Sequence, residues 1–450
     1  MQNGPAGPES GVLAQLVERK VRNLKVRGSI PLCSTVRGLQ GLFLIVFLMI
    51  RPHFQERSSA RLQERSSAVL PTLLLVLLLV PMLCSCAART SAAKDPAEVQ
   101  LLDASAFRAG VNGRETSLYT LRGGRLIMQV TDFGARVVSL WTPDRNGVMG
   151  DVATGYESIE RYINNDGERF LGACVGPVAN RIGKGEFTLD GESCSTPLNN
   201  DGNTLHGGFE GLDMIVWDVE ELTDSSITFT TVHPDMKEGW PGNLSIRMTY
   251  LLTAADEFRI SYSAVTDKAT PVNISNHTFF NLTGDSSRSI LDHELTIFAS
   301  HSTVVDRKLI PTGEIVPLDG SPLDFRVPKT IGKDIYANDH QLDCGRGYDH
   351  NWCLDASAVG GINFAARLFE PGSGRMMEVY TDQPGLQFYC GNFFDGKSVD
   401  KYGRPIGYRC SLAMETQKWP DGINHPDFPD TVLRPGEEYS HTCIYRFSAL

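Results

Sequence analysis

Two histidines, two carboxylates and one arginine stand where the surrounding residues are apolar. His277 sits in the middle of NISNHTFFNL (273–282). His206 precedes a glycine pair in NTLHGG (203–208), and Arg181 lies within GPVANRIG (176–183). Asp349 falls within GYDHN (347–351) and Glu415 within LAMETQ (412–417). Acids, histidines and arginines are rarely buried without a partner or a function. Any one of them alone reads as a satisfied polar group in a core. One polar pocket lined by Arg181, His206, His277, Asp349 and Glu415 explains all five together. Asn273, Asn276 and Asn281 also need hydrogen-bond partners, and a pocket beside their strand would supply some.

A histidine near its ordinary pKa of about 6.5 donates a proton at neutral pH, and a glutamate near about 4.3 is ionised and accepts one. Such a pair suits general acid–base chemistry. The chain has no GxSxG elbow, no phosphate-binding loop and no dinucleotide fingerprint. Imidazoles and carboxylates also ligate metals, but HxH and HExxH spacings are absent, so no metal is expected.

The elements that must position these residues read as strands. From about Glu115 onward, short alternating segments are separated by turn residues. Residues 125–130 lead to 135–141, with DRNG (144–147) as a hairpin signal. EFTL (186–189) ends at Asp190-Gly191, and SITFTTV (226–232) alternates cleanly. Leu244, Ile246, Met248 and Tyr250 share one face, as do Phe258, Ile260 and Tyr262. Period-two patterning with frequent turns, and no competing helical period, predicts an antiparallel all-β protein, a sandwich or barrel. No linker rich in Pro, Gly or Ser interrupts 104–450, so one large domain is expected there.

The 450 residues are 41% hydrophobic and 21% charged, with a formal net charge of −11 and no basic block in the body of the chain. That excludes nucleic acid as an expected partner. The ten cysteines are scattered, with no CxxC, and read as buried free thiols.

The N-terminal residues differ in character. Residues 14–35 resemble translated tRNA-gene sequence, and 1–48 are read as an extension upstream of the true start, Met49 or nearby. QERSSA occurs twice, at 55–60 and 63–68. Residues 49–86 combine a basic n-region with the apolar run VLPTLLLVLLLVPML (69–83), which predicts a signal peptide. It ends in Leu83-Cys84-Ser85-Cys86, which resembles a bacterial lipobox with Cys86 as the lipidated residue. The expectation is an exported protein, periplasmic or membrane-anchored through Cys86 alone, with 87–103 as a linker.

The motifs in 104–450 together resemble the aldose 1-epimerases, the galactose mutarotases. They are TDFGARVVSL (131–140), GYES (155–158), GPVANRIGKGEF (176–187), NTLHGG, EGWPGNL (238–244) and NISNHTFFNL. GYDHNW (347–352), QPGLQFYCGNF (383–393), METQKWPDGINHPDFP (414–429) and LRPGEEY (433–439) complete the series in family order. The resemblance implies a large antiparallel β-sandwich of the galactose mutarotase type. It implies interconversion of the α and β anomers of a free aldohexose such as glucose or galactose, without a cofactor, by a monomer. His277 would then be the general acid and Glu415 the general base. Asn180, Arg181, His206, Asp349 and Gln383 would contact the sugar, and Thr278 and Phe279 would line the same site. Ser275 and Phe279 stand where the family commonly has Thr and Tyr.

Three other readings are open on sequence alone: a non-catalytic sugar-binding protein on this scaffold, a glycoside hydrolase using Asp349 and Glu415, and an epimerase of a hexose phosphate. The last needs additional cations, and only Arg181 lies close to a motif.

Overall fold

The alternation of Leu244, Ile246, Met248 and Tyr250 places four buried side chains on one face of the strand Leu244–Leu252, with Ser245 and Arg247 exposed between them. The computed structural model describes residues 99–164, 167–355 and 361–450. Strands dominate, and every pairing between named strands is antiparallel. A nine-stranded sheet has Leu244–Leu252, Glu257–Thr266, Tyr439–Ala449 and Arg375–Thr381 as adjacent central strands. A six-stranded sheet runs in the order Phe279–Phe280, Leu412–Gln417, Gly385–Tyr389, Asp349–Leu354, Ala299–Val305, Pro311–Pro317. A four-stranded sheet is built from Leu118–Gly123, Leu126–Thr131, Arg136–Pro143 and Met149–Asp151.

The turns follow the sequence signals. Asp144 closes the hairpin after Arg136–Pro143 by accepting from the Asn146 and Val148 amides. The pair Glu186–Leu189 and Glu192–Ser195 turns at Asp190-Gly191.

One apolar core joins the large sheets. Met248, Tyr250, Phe258, Ile260 and Tyr445 pack from the nine-stranded sheet, and Trp352, Phe388 and Met414 from the six-stranded one. The strand Leu412–Gln417 is buried at every residue. Both its faces are therefore covered, and they differ in chemistry: Met414 points into the core, while Glu415 points the other way.

The asparagines of 273–282 find their partners within the fold rather than in the pocket. Asn273 exchanges two hydrogen bonds with Lys418, donating to its carbonyl at 3.0 Å and accepting from its amide at 2.9 Å. Asn276 donates to the Tyr250 hydroxyl and accepts from the Thr278 amide. Asn281 donates to the Cys410 carbonyl at 2.7 Å and the Arg288 carbonyl at 2.8 Å, and accepts from the Thr283 amide and hydroxyl.

Residues 1–98 lie outside the described residues, and with them the expected upstream extension, signal peptide and Cys86. The end of the expected linker is tied to the domain, since the Leu102 backbone and the Gln129 amide exchange two hydrogen bonds. Among the described residues no helix is long and apolar enough to cross a membrane.

Replacing Asn281 removes its hydrogen bonds to the buried Cys410 carbonyl and the part-buried Arg288 carbonyl. Asn281→Ala is expected to lower unfolding free energy by about 1–3 kcal/mol, read from the urea midpoint. A change inside about 0.5 kcal/mol would contradict this account of the strand.

Candidate active site

A cavity of about 440 Å³ opens beside the six-stranded sheet, and Asn180, Arg181, His206, His277, Asp349 and Glu415 all line it. Three parallel facts of strand geometry bring the acidic groups together. Glu415 is directly opposite Gln387, and Gln387 directly opposite Asn351. Asp349 lies two residues from Asn351, hence on the same face. The alternate residues Trp352, Phe388 and Met414 face the core.

His277 reaches this face from a separate strand. Ser275–His277 pairs with Ala173–Val175 in the register His277 to Ala173, and the Gly172 amide donates to the His277 carbonyl at 3.1 Å. The Ser275 hydroxyl donates to the Thr416 carbonyl at 2.9 Å, fixing the strand against the one that carries Glu415. His277 Nε2 then stands 3.4 Å from Glu415 Oε1, both side chains being buried.

His206 is placed by a reciprocal clasp. Its amide donates to the Asn180 carbonyl at 2.9 Å, and its Nδ1 accepts from the Asn180 amide at 3.1 Å. Both residues adopt positive φ, 62° for Asn180 and 51° for His206. Gly207 follows at φ 90°, where a Cβ would lie 2.0 Å from the Gly176 carbonyl oxygen. That close approach explains the glycine after the histidine. Because Nδ1 accepts, neutral His206 carries its hydrogen on Nε2 and presents a donor.

Phe170 forms the wall shared by the two imidazoles, with ring centroids 4.5 Å from His206 and 6.0 Å from His277. Its loop is held by buried Arg136, whose guanidinium donates to the carbonyls of Arg169, Leu171 and Asp213. Arg169 in turn forms a bidentate pair with Asp213, at 2.8 and 2.9 Å.

Burial governs the protonation of the site. Loss of water lowers the His277 pKa to about 4. The same loss raises Glu415 well above its ordinary range, and the Asp349 charge raises it further, while Arg181 opposes both. Asp349 is also raised by burial, against Arg181 and the Gln387 hydrogen bond. His206 is held well below the usual imidazole range, by burial first and then by His277 and Arg181. Glu415 Oε2, His277 Nδ1 and Gln387 Oε1 are buried with no protein partner. A site with unmatched donors and acceptors suits a ligand rich in hydroxyl groups.

The sequence matches the family described as aldose 1-epimerase over residues 117–446. The chain is 42% identical over 336 residues to the galactose mutarotase of Rattus norvegicus, covering 75% of this chain and 95% of that one. It is 36% identical over 341 residues to the aldose 1-epimerase of Escherichia coli (strain K12), covering 75% and 97%. The chain belongs to the aldose 1-epimerase family. It is accordingly an isomerase with mutarotase activity. The fold agrees: the aldose epimerase homologue from C. elegans superposes with a TM-score of 0.68 at 27% identity, over 74% of this chain and 99% of that one. The galactose 1-epimerase from Lactobacillus acidophilus superposes with a TM-score of 0.66, also at 27% identity, over 76% and 97%.

Ligand atoms of His206, His277 and Glu415 lie within 4.8 Å of one another, a spacing that a metal ion could bridge. The donor set fits poorly. With Nδ1 accepting from Asn180, His206 Nε2 holds a hydrogen and has no lone pair to offer.

Three expected site residues do not line the cavity. Thr278 is buried, and its hydroxyl donates to Asn276 Oδ1 at 2.5 Å. Phe279 is fully buried behind His277, with ring centroids 4.7 Å apart, among Tyr389 and Phe394. It supports the imidazole instead of meeting a ligand. Gln383 lies before its strand and donates to Asp382 at 2.8 Å. The glutamine beside the acids is Gln387, whose amide donates to Asp349 Oδ1 at 2.7 Å. Both glutamines belong to QPGLQFYCGNF, and the strand register alone distinguishes them. Phe170 and Arg136 were also missed as site supports; only the place of Arg136 in TDFGARVVSL hinted at its role.

Proposed function

We propose that the chain interconverts the α and β anomers of free aldohexoses, glucose and galactose among them, with His277 as general acid and Glu415 as general base. The observation that carries this is the buried 3.4 Å approach of His277 Nε2 to Glu415 Oε1 at the cavity wall, with the second carboxylate oxygen unpartnered. Burial disfavours charge on both groups, so in the empty pocket the pair shares one proton as neutral imidazole and carboxylic acid. The same proton count describes an imidazolium facing a carboxylate. A bound sugar selects that arrangement when its C1 hydroxyl donates to Glu415 and its ring oxygen accepts from His277.

The reaction then needs two proton transfers. Glu415 takes the proton of the C1 hydroxyl as His277 gives one to the ring oxygen. The C1–ring oxygen bond breaks and C1 becomes a carbonyl. Rotation about C1–C2 presents the other carbonyl face. The new C5 hydroxyl returns its proton to His277 as it attacks C1, and Glu415 returns a proton to the carbonyl oxygen. The pair ends as it began. Asp349, oriented by Gln387, accepts from sugar hydroxyls, while Arg181, Asn180 and His206 Nε2 donate to oxygens.

Residues 49–86 are proposed to direct export, with Cys86 as the lipid acceptor and 104–450 as the catalytic domain, acting as a monomer. The support is the basic n-region, the apolar 69–83 run and Leu83-Cys-Ser-Cys86. Labelling of the full chain in a bacterial host with a fatty acid should mark wild type and not Cys86→Ala; equal label in both would remove this assignment.

For the reaction, polarimetry of freshly dissolved α-D-glucose and α-D-galactose is the test. Wild type should relax either sugar faster than buffer, and His277→Ala or Glu415→Gln should each lower kcat by about 10²–10⁴-fold. Undiminished activity in either folded variant would overturn the assigned roles.

A further inference from the structure

The cavity holds more positive charge than the proposed reaction uses. Arg307, Lys308 and Arg346 line it together with Arg181, in a chain whose formal net charge is −11. Arg181 lies among the buried acids, but the other three are exposed, toward the mouth. Among the described residues none of these three forms an ion pair. Asp201 is the only exposed carboxylate among the lining residues.

These cations are held in place. Arg307 and Lys308 lie in the turn between Ala299–Val305 and Pro311–Pro317. Asp306 clamps that turn, its carboxylate accepting from the amides of Lys308 at 2.8 Å and Ile310 at 3.0 Å. Lys308 Nζ donates to the Asp201 carbonyl at 3.1 Å, which joins the turn to the loop below Asn200 and leaves the ammonium charge uncompensated by that contact. Arg346 follows the helix His340–Gly345 in the left-handed conformation, φ 53°. Its carbonyl accepts from Arg409, and its guanidinium lies 5.2 Å from the centre of the Phe393 ring. Stacking on the ring leaves the N–H edge of the guanidinium free to meet an anion. Two nearby carboxylates are directed elsewhere: Asp339 caps the helix through the amides of Gln341 and Leu342, and Asp306 serves its own turn.

We propose that the mouth of the cavity is an anion subsite, and that the chain prefers aldoses carrying a negative group, phosphate or carboxylate, at the end of the sugar remote from C1. This rests on the anomerase reading, which places C1 at His277 and Glu415 in the buried interior. A hexose bound there directs its far end toward Arg307, Lys308 and Arg346. A phosphate or carboxylate at that end meets a guanidinium preorganised on Phe393 and two cations on a clamped turn. Charge at the mouth also draws anions in, an effect that salt screens.

The test is anomeric exchange measured by NMR on the full-length protein. The sugars are D-glucose, D-glucose 6-phosphate and D-glucuronate at low and at 0.5 M salt. The expected result is a kcat/KM at low salt about 10-fold or more higher for at least one anionic sugar than for glucose. High salt should shrink that ratio, and Arg307→Glu/Lys308→Glu and Arg346→Glu should each lower it several-fold. A gain with the phosphate alone or the carboxylate alone supports the subsite and identifies its ligand. Acceleration of glucose with no gain for either anion overturns the subsite and leaves the anomerase reading intact. A ratio unmoved by both charge reversals also overturns it. A protein inert toward all three sugars overturns both.

Discussion

Removing Glu415 and His277 from water disfavours charge on each, and the rest of the site is arranged around that cost. An isolated buried carboxylate is expensive, and an isolated buried imidazolium is too. Placed 3.4 Å apart, the two can share one proton, which burial keeps on Glu415 in the empty pocket because it favours the neutral form of each group. Asp349 pushes the Glu415 proton affinity up and Arg181 pulls it down. Such a poised pair suits a reaction that must run in both directions, because each group has to act as acid in one direction and base in the other.

The sandwich makes this possible through a strand buried on both faces. Apolar burial against the nine-stranded sheet holds Leu412–Gln417 in place through Met414, and register then delivers Glu415 to the opposite face. Gln387 and Asp349 follow from the same register. His277 comes from a strand outside that sheet, tied to it by Ser275 and Asn273. Positions on different elements are thus fixed by strand register and by side-chain hydrogen bonds to backbone groups.

Much of this was legible in the sequence. Alternation at 244–250 and 258–262 predicted the strands that form, because one face of each is core and the pattern has a strict period. Polar residues in apolar runs pointed to Arg181, His206, His277, Asp349 and Glu415, because burying them without purpose is costly. What stayed hidden depends on contacts between distant segments. Gln383 and Gln387 look equivalent until strand pairing places only the second beside Asp349. Phe279 and Thr278 flank a lining residue, but the chain direction at His277 turns one into the core and the other toward Asn276. Asn273 and Asn281 suggested the pocket, yet their partners lie elsewhere in the fold and include backbone groups at 418 and 410, over a hundred residues away. The cations at 307, 308 and 346 carry no motif, and only the fold gathers them at one opening.

The shared proton is the central claim, and the pH dependence of kcat/KM for a neutral aldose tests it most directly. The active free enzyme holds one proton on the pair. Below about 4 a second proton binds the imidazole and the base is lost, since burial has lowered His277 to that value. Above the raised pKa of Glu415 the pair holds none and the acid is lost. The account predicts a broad bell with its acid limb near pH 4 and its alkaline limb well above the ordinary carboxylate range. An acid limb near about 6.5, the value of an unperturbed imidazole, would contradict it.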